Sequence, residues 1–271
     1  MDMMQLVYTV FFFGIGLCFG SFALATAWRI KKNKDFVKDT SECEHCHHKL
    51  AAIDLIPLVS WLSLGGKCRY CRKKISGLLP LAELVGAVTF AASYAYWPYG
   101  FASALPLLLF IVWCVALILL LILFFYDLQW YILPNKVIYP LWAVASVFAL
   151  LTFVATPTLA TVFNVLMAVT VGAGLFWLFY TMSKGAWIGY GDVRLGVAIG
   201  LLAGTPAKAA ITLFTASIAG IVLTLPSVVT KKRTMTSKLP FGPLLILGLF
   251  VAVIWGQSLI DWYVQSVLLI P

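Results

Sequence analysis

From Ala102 to Tyr126 the chain runs for 25 residues without a charged side chain. No other feature restricts the fold as much, because about 20 consecutive apolar residues in a helix cross the ~30 Å hydrocarbon core of a bilayer. Comparable apolar runs lie near 4–28, 77–97, 136–155, 159–183, 188–204, 206–229 and 241–262. In lipid every backbone polar group must be satisfied within the protein. The runs have helical spanning length and do not alternate as the roughly ten-residue strands of a barrel would. The expected fold is therefore all-α and polytopic, with about eight transmembrane spans. A composition of 62% hydrophobic and 11% charged residues excludes an ordinary soluble domain. Three regions follow: a first transmembrane helix at 1–28, a loop at 29–76, and a core of about seven helices at 77–271.

Charge sets the expected orientation. The first span has neither a basic start nor a small-residue cleavage site, so it reads as a retained anchor and not as a removed signal peptide. Arg29, Lys31, Lys32, Lys34 and Lys38 follow it directly. By the positive-inside rule the N-terminus lies outside and the loop at 29–76 lies in the cytoplasm. Threading the chain through the remaining spans leaves Lys208 as the one outside base among 19 Lys and Arg residues. The formal net charge of +9 is thus accounted for by topology, and nucleic acid is not expected as a partner. Neither paired transporter-like halves nor a low-complexity linker is visible. Trp97, Tyr99, Trp130, Tyr131, Trp187 and Trp262 fall near span ends, where amphipathic rings anchor at the interface.

The loop carries two CxxC knuckles, Cys43-Glu44-His45-Cys46 and Cys68-Arg69-Tyr70-Cys71. Four thiolates can close a tetrahedral zinc site, and a short loop without a large core gains folding free energy from such a metal. Disulfides are the alternative, disfavoured in a reducing cytosol. His45, His47 and His48 could serve as ligands, but with four cysteines at hand they read as exposed loop residues. Cys18 and Cys114 sit in apolar spans, where a thiol behaves as a small hydrophobe.

Acids in the apolar stretches are few. Asp127 closes the charge-free run, and Asp192 sits in Gly189-Tyr190-Gly191-Asp192-Val193-Arg194. Acids in such positions usually face protein or water and mark function. Gly189, three residues before Asp192, is expected on the same helix face, leaving room for another element to approach the carboxyl. In the expected topology both acids fall at the cytoplasmic ends of their spans and can meet. Two carboxyls at about 3 Å cannot both ionise readily and share a proton, which is the chemistry of an aspartic protease. The alternative makes them interfacial caps or partners of Lys136 and Arg194, although Arg194, two residues on, points to a different face. Glu83, just after Pro80, is expected to face protein, either in an ion pair with Arg194 or a loop base, or in substrate or cofactor binding. Lys238-Leu239-Pro240-Phe241-Gly242-Pro243 reads as a rigid turn into the last span, and Asp54 reads as solvated.

Taken in order, several segments resemble the bacterial type IV prepilin peptidase family, whose members are GxGD-type aspartic peptidases serving type IV pilus, type II secretion and competence systems. These are Gly20-Ser21-Phe22, the four-Cys loop, Asp54-Leu55-Ile56-Pro57-Leu58-Val59-Ser60-Trp61-Leu62, Pro80-Leu81-Ala82-Glu83-Leu84, Asp127 with Leu133-Pro134-Asn135, Gly189 through Leu195, and Leu239-Pro240-Phe241-Gly242-Pro243. The resemblance implies a multi-pass enzyme of the bacterial cytoplasmic membrane that cuts the short basic leader from prepilins or pseudopilins, with Asp127 and Asp192 as its catalytic pair. It also implies N-methylation of the new terminus with S-adenosylmethionine, since members with the four-Cys loop typically have both activities. No glycine fingerprint identifies a methyl-donor site. Leu24, Arg194 and Leu78-Leu79 depart from the Asn, Lys and Arg-Tyr usual in the family, which bears on substrate preference and on methylation. The competing readings are a proton- or cation-coupled transporter using Glu83, Asp127 and Asp192, and a zinc-scaffolded assembly protein without catalysis. A conduction path would spread its acids through the bilayer, whereas two of these three are expected at one face.

Overall fold

A computed structural model of the chain describes residues 3–34, 41–229 and 239–267. Lys38, Lys231, Lys232, Arg233 and Lys238, which carry part of the charge argument, lie outside the described residues. The described residues form helices and no strand: α1 (Met3–Lys31), a 3-10 turn (Ala52–Leu55), α2 (Val59–Ser63), α3 (Leu78–Ala95), α4 (Ala104–Trp130), α5 (Asn135–Ala155), α6 (Leu159–Val169), α7 (Leu175–Ser183), α8 (Tyr190–Ala203), α9 (Pro206–Val229) and α10 (Phe241–Ser266). A π-helical turn at Thr170–Gly174 joins α6 and α7. The chain divides into two compact units, Met1–Ala95 and Tyr96–Pro271.

Among the described residues 7 helices are long and apolar enough to cross a membrane: α1, α3, α4, α5, the α6–α7 rod, α9 and α10. The protein is thus a multi-pass membrane protein. The eighth expected span, 188–204, is shorter than the sequence suggests. The backbone is extended at Gly189 (ψ 145), the helix starts at Tyr190, and it stops at Gly204, which is left-handed (φ 71). The resulting 14-residue α8 measures about 21 Å at 1.5 Å per residue, well short of the hydrocarbon thickness. Its Leu195, Ala198 and Ile199 are fully buried, so protein and not lipid covers much of its surface.

In the first unit α1 and α3 touch backbone to backbone. Gly16 and Gly20 form a GxxxG pair on α1 facing Gly86 of α3, and a Cβ at any of the three would run into the opposite helix. Small residues are how membrane helices approach closely, since lipid supplies no hydrophobic drive between them and close packing must do so. Phe19 stacks on Phe90 at 5.3 Å beside this seam.

In the second unit the core sits where α4 meets α5 and α10. Trp113 of α4 is fully buried, with Phe148 of α5 at 6.4 Å and Phe250 of α10 at 6.5 Å between ring centres. The helix α8 rests on α5, α6 and the π turn. There Gly172 meets α8 so closely that a Cβ would lie 2.7 Å from the Gly196 carbonyl oxygen. This packing fixes α8, and with it Asp192, relative to α4 and α5.

Candidate active site and metal centre

The charge-free run ends when Tyr131 adopts a left-handed conformation (φ 57) and caps α4. Its N–H returns to the Asp127 carbonyl at 2.8 Å. Asp127 therefore lies in the last turn of α4, and it is only 6% exposed. Its Oδ2 accepts the backbone N–H of Gly242 at 3.1 Å. Gly242 is the second residue of α10, where amides have no helical partner and the helix dipole presents its positive end. Pro240 and Pro243 have no N–H, so the segment offers few donors, and the one at Gly242 is spent on the acid.

Asp192 sits in the first turn of α8, half-buried. Gly189 lies beside the Asp192 carboxyl, as the spacing suggested: a Cβ there would lie 3.7 Å from Oδ2. It is the extended residue before the helix. Its carbonyl accepts the Asp192 N–H at 3.1 Å. Each acid thus has a glycine of a helix start beside it.

Leu133, in the α4–α5 connection, packs between the two. A Cβ on Gly191 would lie 3.2 Å from Leu133 Cβ, and one on Gly242 would lie 3.3 Å from Leu133 Cδ2. Leu133 thus touches both the glycine that binds Asp127 and the glycine that precedes Asp192. Among the described residues neither carboxyl has a base at ion-pair distance. Arg194 turns away: its guanidinium donates to Asn135 Oδ1 and lies over the Tyr190 ring, 4.6 Å from its centre. Trp142 Nε1 donates to the Arg194 carbonyl at 2.9 Å, so α5 holds α8 at two points beside the acid.

Glu83 is 3% exposed, and among the described residues no base lies at ion-pair distance from it. It accepts the Leu58 N–H at 2.7 Å and the Ser21 hydroxyl. Three separate sequence segments therefore meet at one carboxyl within the first unit. The expectation of an ion pair with a loop base does not hold among the described residues, because a main-chain amide and a hydroxyl occupy the position.

The two knuckles are local copies of each other. The Cys43 N–H donates to the His48 carbonyl at 3.0 Å and the His47 N–H to the Cys43 carbonyl at 2.9 Å. The Cys68 N–H donates to the Lys73 carbonyl at 2.9 Å and the Arg72 N–H to the Cys68 carbonyl at 3.0 Å. His47 (φ 55) and Arg72 (φ 60) take the same left-handed position in the two turns. All four thiols are free, and the four sulfurs of Cys43, Cys46, Cys68 and Cys71 lie within 4.8 Å of one another, so the cluster could hold a metal ion. Asp54 is not simply solvated. It accepts Arg69 Nε at 2.7 Å and the Tyr70 hydroxyl at 3.1 Å, tying the 3-10 turn to the second knuckle. The Arg69 guanidinium holds the Asp54 carboxyl below the usual carboxylate range.

Gly242 and Leu133 lay within recognised segments, but neither was singled out as a site residue, and the prolines around Gly242 also fit an ordinary helix start. Asn135 lay within a recognised segment, but nothing in its spacing tied it to Arg194, 59 residues away.

Fold and site together define a multi-pass helical membrane protein with a sheltered carboxyl pair and a four-thiol loop. Residues 15–97 match the family described as Bacterial Peptidase A24 N-terminal domain, and residues 114–225 match the Type IV leader peptidase family. The chain is 32% identical over 227 residues to a protein of Aeromonas hydrophila named prepilin leader peptidase/N-methyltransferase, covering 83% of this chain and 75% of that one. A Bacillus subtilis protein of the same name is 30% identical over 259 residues, 94% of this chain and 98% of its own. The Pseudomonas aeruginosa counterpart is 30% identical over 234 residues, 85% and 77% of the two chains. No solved structure matches. The chain belongs to the type IV leader peptidase family and is an enzyme of that family.

Proposed function

We propose that this protein is a membrane-embedded aspartic endopeptidase that removes the short basic leader from type IV prepilins or pilin-like proteins. Asp127 and Asp192 are its catalytic pair. The observation that supports this reading is that two sheltered carboxyls from different helices flank Leu133, with no neutralising base at ion-pair distance among the described residues. One carboxylate takes a proton from water, which attacks the scissile carbonyl, while the other acid gives its proton to the carbonyl oxygen. As the resulting diol collapses the C–N bond breaks, the first carboxyl passes its proton to the leaving amine and the second recovers one from the diol. The Gly242 amide orients Asp127, and Gly189 leaves room beside the Asp192 carboxyl. A fixed main-chain donor holds Asp127 without a counter-ion that would quench the pair.

The proposed organisation keeps the first helix at 1–28, the cysteine loop at 29–76 and the peptidase core at 77–271. The charge asymmetry favours a multi-pass arrangement in the bacterial cytoplasmic membrane, with the N-terminus outside and both the loop and the acids on the cytoplasmic side. Cys43, Cys46, Cys68 and Cys71 hold a structural zinc ion in this reading. Tetrahedral Zn–S bonds of about 2.3 Å imply sulfur–sulfur edges of roughly 3.8 Å, and Cys43 Sγ lies 3.9 Å from Cys71 Sγ. The same fit leaves no open position for catalysis at the metal.

The relatives named above are also named as N-methyltransferases. On that ground a second activity is proposed, methylation of the newly exposed amine with S-adenosylmethionine, without assigning residues to the methyl donor. Co-expression with a prepilin bearing a basic leader tests both. The product should lose the mass of the leader and gain one methyl group at its new N-terminus, and an unprocessed prepilin would refute the reading.

A further inference from the structure

The segment between the 3-10 turn and the end of α2 sits at an unexpected depth. Leu58 is pinned to Glu83 through its N–H, and Glu83 is the sixth residue of α3, Leu78–Ala95. At 1.5 Å per residue that places the contact about 7 Å inside the start of the spanning helix. The same carboxyl binds Ser21 of α1. Ser21 lies seven residues, about 10 Å, inward of Trp28, where the basic flank begins. Two independent rulers therefore put the Leu58 backbone below the ends of both helices and not in the aqueous loop.

The backbone there suits an environment without water. Leu58 is a non-glycine residue at φ 59, ψ −48, with the Val59 N–H closed onto the Pro57 carbonyl at 2.6 Å. This γ-turn at positive φ is strained, and such strain persists only where its surroundings impose it. Here Glu83 receives the amide that the turn projects. The Ser60 N–H goes to the Ile56 carbonyl at 3.1 Å and the Leu62 N–H to the Leu58 carbonyl at 2.9 Å, while Pro57 has none to satisfy. Irregular backbone is tolerated at membrane depth only when its polar groups are paired in this way.

The side chains complete the pattern. Ile53, Leu55, Ile56, Val59 and Leu62 are all exposed, Val59 at 59% and Leu62 at 66%. Leu81, Leu84 and Val88 of α3 are exposed as well, a face that in a spanning helix meets lipid. Around the knuckles Lys49, Lys67, Lys73 and Lys74 are exposed as well. Exposed apolar side chains flanked along the chain by exposed lysines are the composition of a segment seated at an anionic membrane surface.

We propose that residues 53–62 form a lipid-inserted interfacial segment in the leaflet where α1 ends and α3 begins. The side chains of Ile53, Leu55, Ile56, Val59 and Leu62 pack against acyl chains, and the knuckle lysines face anionic headgroups. Part of the stretch first read as a cytoplasmic loop is thereby a membrane anchor, and Glu83 is its latch.

The test uses the full chain in nanodiscs of phosphatidylcholine and phosphatidylglycerol, with p-benzoylphenylalanine in place of Val59, Leu62 or, as control, the exposed Glu44. Irradiation followed by mass analysis should give phospholipid adducts at 59 and 62 and none at 44. Glu83→Ala should abolish the adducts at 59, whereas Glu83→Gln, which keeps a carbonyl acceptor for Leu58, should retain them. Absence of lipid adducts at both positions overturns the proposal. So do adducts to an added prepilin peptide or to a second copy of the chain in place of lipid, since they would make the surface a protein-docking face.

Discussion

The backbone N–H of Gly242 reaches Oδ2 of Asp127 over 3.1 Å, joining the first turn of α10 to the last turn of α4. A Cβ at position 242 would lie 2.8 Å from that oxygen and 3.3 Å from the carboxyl carbon, so any side chain there displaces the acid. Gly242→Ala should leave an inserted protein whose kcat for leader cleavage falls on the order of 100-fold, because an ångström of misplacement is enough to spoil attack geometry. Single-turnover cleavage of purified variants measures it. An unchanged rate would mean that the Gly242 contact does not position the acid.

Arg194 fastens α8 to α5 instead of pairing with Asp192. Arg194→Ala should slow cleavage about 10-fold, an effect of about 1.4 kcal/mol on the barrier. Arg194→Lys should recover most of the rate, since an ammonium can still reach Asn135 and the Tyr190 ring. A comparison of the two variants with Asn135→Ala checks the assignment. If Arg194 instead neutralised Asp192, its removal would leave Asn135→Ala without a comparable defect.

The metal prediction follows from the matched knuckles. Purified protein under reducing conditions should hold about one zinc per chain. Serine at any one of Cys43, Cys46, Cys68 or Cys71 should lower metal content and the protease resistance of the loop. Methylation should suffer at least as much as cleavage, because the acids belong to other elements. Metal analysis, limited proteolysis and product mass give the three readouts. Loss of cleavage alone would assign the loop to leader binding.

Proton sharing has a kinetic signature. The active form carries one acid and one carboxylate, so cleavage should rise and then fall with pH, both limits belonging to the coupled pair and not to either residue. As pH falls through the lower limit the base is protonated, and as it rises through the upper limit the acid is lost. A rate–pH profile in detergent or nanodiscs records this. A flat profile through the carboxyl range counts against the pair.

Much of this was legible in the sequence because lipid imposes simple rules. Spanning length exposed the helices, and the CxxC spacing exposed the thiol cluster. The scarcity of acids in apolar stretches singled out Asp127, Asp192 and Glu83. What stayed hidden depends on main-chain direction. That residues 188–204 form a helix of only 14 residues turned on Gly189 being extended and Gly204 left-handed, which composition does not encode. The Gly242 amide and the Leu58 turn are backbone donors aimed by tertiary packing, and a one-letter sequence carries no record of where an N–H points. Arg194 looked misplaced for Asp192 from its spacing, and the structure supplies its actual partner in Asn135.

Leader cleavage by Asp127→Asn and Asp192→Asn, each in protein verified as membrane-inserted, bears most directly on the catalytic assignment. The account predicts that both variants leave the prepilin at its full precursor mass, since either change removes the shared proton. Cleavage at the wild-type rate by either variant would contradict it.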